Sequence, residues 1–388
     1  MAYELSNYIV NGQRYTNKIQ AILEAQKTLA DITWDFHNDF FNKIDWTIEP
    51  QLSLPQMYKI RAQQIRDQYD YIVIMFSGGA DSTNVLYSFL DNNIRVDEIV
   101  SSIPTSGLRD FKESTNAKSS NNASEWMLTT IPALQKVVTH YPDVKISIND
   151  FFKKMLTYNT DEWLYQSSDW IHPSTVARYN LEQLTHIKKL ADQGKKIGVV
   201  YGCEKPHLTF WEGKIISQFF DIGINVPRQP FDIYYSNVDL VLFYSTPEMP
   251  QIVIAQSHEI AKAIYNIPRY QYIQNLIYDC SWNEEQILRY RNDVYQRAIV
   301  PIIYPSIDNV GFQSLKSTDK FMADHDDWFY SFHKNTRLYQ LILSDSNNFL
   351  KTINSKYFKE KTGQPSAFNF YYNSYLIGNI TDFQQARY

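Results

Sequence analysis

The run Tyr71-Ile72-Val73-Ile74-Met75-Phe76 is apolar without a break, and Ser77-Gly78-Gly79-Ala80-Asp81-Ser82 follows it directly. An apolar run of that length, bounded by a turn, suits a strand buried on both faces of a parallel sheet. Helical spacing resumes from Thr83 to Leu90, so the glycines connect a strand to a helix. Adjacent glycines reach backbone conformations closed to other residues and put no side chain in the way. Successive N–H groups can then converge as an anion nest, to which the following helix adds its positive N-terminal end. The hydroxyls of Ser77 and Ser82 supply further donors. Asp81 would repel a bare phosphate, so its expected role is to hold a Mg²⁺ that bridges phosphates. The rival reading is a plain glycine turn with a Ser or Asp cap, and the strand–turn–helix context weighs against it.

Further strands are expected at Glu98–Ile103, Val144–Ile148, Lys196–Tyr201 and Val238–Tyr244, with helical stretches at Glu125–His140 and Leu181–Gln193 between them. This alternation predicts an α/β fold, a doubly wound parallel sheet over residues 69–245, with ligands at the carboxyl ends of its strands. Residues 1–68 read as a helical N-terminal segment, with helices at Asn17–Leu29 and Gln56–Gln68. Its aromatic cluster of Trp34, Phe36, Phe40, Phe41 and Trp46 is expected to be core rather than a base-stacking platform. Residues 246–388 read as a mainly helical substrate or accessory region, with helices at Ile252–Tyr265, Glu284–Gln296, Trp328–Leu341 and Asn347–Phe358. A chain of 388 residues has room for this organisation at about 100–200 residues per domain.

Charge and composition narrow the classes open to the chain. Net charge is -5 and Lys and Arg are scattered without a basic stripe, so a nucleic-acid partner is left open but not favoured. The two cysteines, Cys203 and Cys280, form no CxxC pair, which argues against a disulfide framework or a zinc site. A reduced, cytoplasmic location is expected. The start, Met1–Leu5, lacks the basic and apolar regions of a leader. The longest apolar stretches fall far short of the about 20 residues of a membrane span, so no membrane partner is expected. No feature bears on oligomeric state.

A second stretch, Val199-Val200-Tyr201-Gly202-Cys203-Glu204-Lys205-Pro206-His207, lies at the end of another expected strand. If both strands share a sheet, Gly202 and Lys205 stand beside the glycine turn. Lys205 would then neutralise a departing pyrophosphate and Glu204 would complete a magnesium site with Asp81. The plain alternative is a polar loop ended by Pro206. Cys203 is weighed as a nucleophile and favoured as a small apolar packing group. His172 and Arg178 are weaker candidates on a facing loop. Lys316, Lys320 and the run Asp324-His325-Asp326-Asp327 read as solvated loop charge in preference to a metal site.

The turn is neither GxxxxGK[ST] nor GxGxxG. It matches Ser-Gly-Gly-x-Asp-Ser at every fixed position, and here the chain resembles the PP-loop (adenine nucleotide alpha hydrolase-like) ATP pyrophosphatases, with their HUP/PP-loop type of sheet. The resemblance implies that Ser77, Gly78, Gly79, Ala80, Asp81 and Ser82 bind ATP, cradling its β- and γ-phosphates with Mg²⁺. It implies that a substrate oxygen attacks the α-phosphorus, that pyrophosphate departs, and that a nucleophile then displaces AMP. Adenine would rest on backbone groups at the end of the second strand, which places Ser101 and Ile103 there.

Over Leu54–Ser82 the surroundings are similar to asparagine-synthetase-like proteins, particularly those of large tailed phages. This implies a ligase that adenylates a small-molecule carboxylate for attack by ammonia or an amine. Glutamine-hydrolysing members begin with a nucleophilic cysteine after Met1, and this sequence has Ala2, so its ammonia would come from solution, an amine substrate or a partner. The cysteine pairs of tRNA-thiolating members are missing, yet tRNA or nucleobase modification without sulfur stays open. A non-catalytic ATP-binding protein is the third expectation, disfavoured by Asp81.

Overall fold

The computed structural model describes residues 6–103, 105, 130–151, 184–203, 205–224, 235–268, 299–304 and 372–384. Its centre is a five-stranded, all-parallel sheet. The strands are β4 (Tyr71–Met75), β5 (Glu98–Ser102), β6 (Lys145–Asn149), β7 (Ile197–Tyr201) and β10 (Val238–Leu242), ordered β10-β7-β4-β5-β6. β7 and β10 are buried at every position, as mainly aliphatic strands in a covered parallel sheet are. The strands expected from the sequence are therefore present. Helices α4 (Ala80–Leu90), α5 (Ile131–His140) and α6 (Thr185–Asp192) lie between successive strands in the chain.

Counted in chain order, the sheet runs fifth, fourth, first, second, third, so its direction of growth reverses between β4 and β7. The register sets Met75 beside Tyr201 on β7 and beside Val100 on β5, and Leu242 beside Tyr201. The carboxyl ends of β4, β7 and β10 thus open level with one another, at the place where such sheets take ligands.

Helix α3 (Leu54–Gln68) starts with Pro55 in its first turn, and the Gln56 side chain accepts from the Ser53 N–H at 3.0 Å. It packs on α4 and on α8 (Gln251–Asn266), which is buried along most of its length. Arg61 of α3, almost wholly buried, donates to the Leu242 carbonyl at 3.1 Å and pairs with Glu248. It ties this helical layer to the free edge of β10.

The N-terminal segment corrects the helical expectation. Beside α1 (Lys18–Thr28), a short α2 (Asn38–Phe41) and α3 it holds β1 (Asn7–Val10), β2 (Gln13–Tyr15) and β3 (Ile32–Asp35), an antiparallel sheet ordered β2-β1-β3. The cause is local. Asn11 and Gly12 have φ of 49° and 78°, the left-handed pair that a two-residue hairpin requires and that Asn-Gly adopts most readily. Trp34, Phe36, Phe41 and Trp46 are buried as expected, while Phe40 is exposed. The ring of Trp46 stacks on Tyr375 at 4.2 Å and Phe36 meets Phe219 edge-on at 5.1 Å.

Those partners belong to a second unexpected sheet of β8 (His207–Trp211), β9 (Lys214–Phe220) and β11 (Tyr372–Asn379), ordered β11-β9-β8. Short helices α7 (Asp221–Ile224), α9 (Val300–Ile303) and α10 (Ile380–Gln384) complete the described elements. The region after residue 245 therefore contributes a strand as well as helices. The helices expected at Glu284–Gln296, Trp328–Leu341 and Asn347–Phe358 lie outside the described residues. No described helix is long and apolar enough to cross a membrane.

Candidate functional site

The turn after β4 is drawn together by its own hydroxyls. Ser77 Oγ and Ser82 Oγ lie 3.1 Å apart, the Gly79 N–H donates to Ser77 Oγ at 3.2 Å, and the Ser77 N–H donates to Ser82 Oγ at 3.2 Å. Gly78 has φ +81°, and a Cβ there would stand 2.5 Å from Thr130 Oγ1 and 2.8 Å from the Thr130 backbone. Thr130, buried at the start of α5, donates its hydroxyl to the Ser77 carbonyl at 2.6 Å. Glycine is thus dictated twice at position 78, by conformation and by space. The first intrahelical bond of α4 runs from the Thr83 N–H to the Gly79 carbonyl at 3.0 Å, so the N–H groups of Ala80, Asp81 and Ser82 form the open first turn. Ser77 stands exposed at the mouth of this turn.

β7 delivers the second half of the site. A Cβ on Gly202 would lie 2.8 Å from the Asp81 carbonyl and 3.0 Å from the Ser82 nitrogen, so only glycine lets the end of β7 approach the loop this closely. Three residues on, Lys205 Nζ lies 2.7 Å from Asp81 Oδ1 and 2.6 Å from Oδ2. The lysine side chain is 15% exposed and the aspartate 29%, so the pair is partly open to solvent. The pairing of the two stretches expected from the sequence is therefore present.

Three tyrosines back this pair. The Tyr304 hydroxyl donates to Asp81 Oδ1 at 2.6 Å, and Tyr244 donates to the Asp81 carbonyl at 2.8 Å while accepting from Asn84 Nδ2 at 3.0 Å. Behind them Tyr58 donates to the Ile303 carbonyl at 2.6 Å and accepts from Gln256 Nε2 at 3.0 Å. Burial pushes the Tyr304 phenol well above its usual range, and the negative charge of Asp81 pushes it further. Tyr244 is raised by burial first, then by Tyr58 and Asp81. Both phenols are neutral donors at every physiological pH. Lys205 Nζ also lies 6.0 Å from the centre of the Tyr304 ring.

Ser77, Gly78, Gly79, Ala80, Asp81, Ser82, Gly202 and Lys205 thus converge, as the sequence predicts. Ser101 and Ile103 stand at the end of the neighbouring strand, but their polar groups serve the protein itself. Ser101 Oγ donates to the Phe76 carbonyl at 2.8 Å and the Ile103 N–H donates to the Asn149 carbonyl at 3.0 Å. Cys203 is part-buried and packs against the hydrophobic core. Glu204, His172, Arg178, Lys316, Lys320 and Asp324–Asp327 lie outside the described residues. Sequence reasoning missed Thr130, Tyr244, Tyr304 and Tyr58. Tyr244 was the accessible one, because it ends the strand expected at Val238–Tyr244.

The arrangement among the described residues is a glycine-rich turn with one carboxylate, Asp81, and one ammonium, Lys205, beside it. Among the described residues no group of three or more His, Cys, Asp or Glu could hold a metal by itself. A divalent cation would rest on Asp81 and on oxygens of a bound phosphate, the manner in which Mg²⁺ is usually held, and the donor set fits that. Comparison with protein-family models, curated proteins and solved structures finds no match. What the structure defines is a class: a parallel α/β sheet with a glycine-rich loop at its topological switch point.

Proposed function

We propose that this chain is an ATP-dependent, AMP- and pyrophosphate-forming ligase of the asparagine-synthetase-like PP-loop type. One observation carries the reading: Ser77–Ser82 lies at the carboxyl end of β4, where the sheet order reverses, and Lys205 arrives there from β7. The reversal site, the glycine turn and a carboxylate beside a lysine suit a triphosphate with Mg²⁺. Sulfur-dependent members need cysteine pairs, and the cysteines here are Cys203 and Cys280 alone.

In this reading the open N–H groups of the first turn of α4 and the Ser77 and Ser82 hydroxyls bind the phosphates. Lys205 neutralises the charge that grows on the β-phosphate as it leaves. Asp81 would hold Mg²⁺, which would offset charge on the phosphate oxygens. A carboxylate oxygen of the substrate attacks the α-phosphorus, the bond from that phosphorus to the bridging oxygen breaks, and pyrophosphate leaves. Ammonia or an amine then attacks the acyl carbon, loses a proton to solvent, and AMP departs with the acyl oxygen.

The test is release of pyrophosphate and AMP from ATP and Mg²⁺ across a panel of amino acids with ammonia, and over bulk tRNA. Stimulation by one acid supports the ligase and names its substrate. Stimulation by tRNA alone moves the assignment to RNA modification, and ATP binding without turnover moves it to a non-catalytic nucleotide-binding protein.

A further inference from the structure

Both carboxylate oxygens of Asp81 are engaged by donors of the protein. Lys205 Nζ contacts Oδ1 and Oδ2 at 2.7 and 2.6 Å, and the Tyr304 hydroxyl takes Oδ1 at 2.6 Å. The proposed cation ligand therefore already carries a cation, the lysine's own ammonium. A divalent ion approaching Asp81 meets a like charge seated between the two oxygens it needs. An anion approaching the glycine loop has the opposite effect, because it offers Lys205 a more highly charged partner within reach of its flexible four-carbon stem. Tyr304 is a neutral phenol with a buried ring, so it has no such alternative and stays on Oδ1.

We infer that Lys205 is an exchangeable counter-ion that makes binding ordered: the polyphosphate enters first and draws Lys205 away, and only then does Asp81 accept a divalent cation. Tyr304 is the positioning residue that keeps the carboxylate aimed at the cradle while its counter-ion changes. This rests on the reading of the loop as a triphosphate site. It adds to that reading a binding order and two residues whose charges act with opposite sign. Without metal, Asp81 opposes the nucleotide and Lys205 assists it. With metal, Asp81 assists.

The experiment is calorimetric titration of the full chain with the non-cleavable analogue α,β-methylene-ATP in EDTA, and of Mn²⁺ with and without the analogue, followed by electron paramagnetic resonance. Wild type is expected to bind the analogue in EDTA and to bind Mn²⁺ only once the analogue is present. Asp81→Asn tightens binding in EDTA by about tenfold and abolishes the gain from Mn²⁺. Lys205→Met weakens binding in EDTA by about tenfold and enlarges the gain from Mn²⁺, whereas Lys205→Arg keeps the wild-type order. Thermal melts establish that each variant folds, and the two charge variants test the idea independently. Mn²⁺ bound equally well with and without the analogue would overturn the inference, as would weaker analogue binding by Asp81→Asn in EDTA. An analogue that binds wild type under no condition removes the triphosphate reading itself, and the ordering with it.

Discussion

The hydroxyl of Tyr304 lies 2.6 Å from Asp81 Oδ1 across 223 residues of chain. The region after residue 245 therefore reaches into the site with a side chain that touches the loop's only carboxylate. Tyr304→Phe keeps the ring and deletes one hydrogen bond. Expected are a loss of about 1 kcal/mol in urea denaturation and a fall in pyrophosphate release of about tenfold, mainly in kcat, because Lys205 and the cradle stay in place. Tyr244→Phe is the control. That hydroxyl meets the Asp81 backbone, Asn84 and Tyr304 but not the Asp81 carboxylate, so its loss should lower stability and reduce kcat less than Tyr304→Phe does.

Gly78→Ala is expected to end nucleotide binding. The left-handed φ alone strains alanine by about 1–2 kcal/mol, and the added carbon also falls 2.5–2.8 Å from Thr130 atoms. Two of those three atoms are backbone, so a second change, Thr130→Ala, should not restore binding. Restoration, read by titration with the non-cleavable analogue, would show that the side chain alone decides the contact.

The central sheet was legible because β4, β7 and β10 are mainly apolar runs bounded by turn residues, while the edge strand β6 alternates polar and apolar positions. β7 and β10 are buried throughout, which leaves no alternation to misread. The glycine turn was legible because its residue types are dictated by phosphate-sized space and left-handed backbone. The hairpin at Asn11-Gly12 carried a readable signal that was outweighed by helical spacing in Asn17–Leu29. Glu212-Gly213, with φ of 48° and 76°, joins β8 to β9 by the same device. β11 was beyond reach, since it pairs with β9 across some 150 residues and no local pattern selects that partner. Tyr304 was hidden for the same reason: its role comes from α9 packing on α8 and bringing the residue that follows it to Asp81.

Arg61 offers a stability test away from the site. Its guanidinium is 1% exposed, whereas its partner Glu248 is 24% exposed. Glu248→Ala strands a buried charge and is expected to destabilise by about 3 kcal/mol. Arg61→Met leaves a carboxylate that water can reach, loses one bond to the Leu242 carbonyl, and should be destabilised by less, about 1–2 kcal/mol. Denaturation of both variants at neutral pH gives the order, and the reverse order would mean that the carboxylate is the group that cannot be solvated.

Alkaline pH reports on the tyrosine cluster. Burial raises the Tyr58 phenol far above its ordinary value of 10.0, with Gln256 opposing and Asp81 adding to the rise. A proton held more tightly in the fold than in the unfolded chain stabilises fully below the unfolded value. That stability drains away as pH climbs past it towards the folded value. Below about pH 9 the cluster should therefore contribute no pH dependence, and above about pH 10 each such phenol should remove about 1.4 kcal/mol per pH unit. Tyr58→Phe separates two effects in one series of urea curves. At neutral pH it loses the bond to the Ile303 carbonyl and the one accepted from Gln256 Nε2, about 2 kcal/mol together. Above pH 10 its stability should fall less steeply than wild type by one proton's worth. Parallel slopes would mean that the Tyr58 hydroxyl titrates alike in the folded and unfolded chains, and the packing of Tyr58 between α9 and α8 would then be looser than its bonds to Ile303 and Gln256 imply.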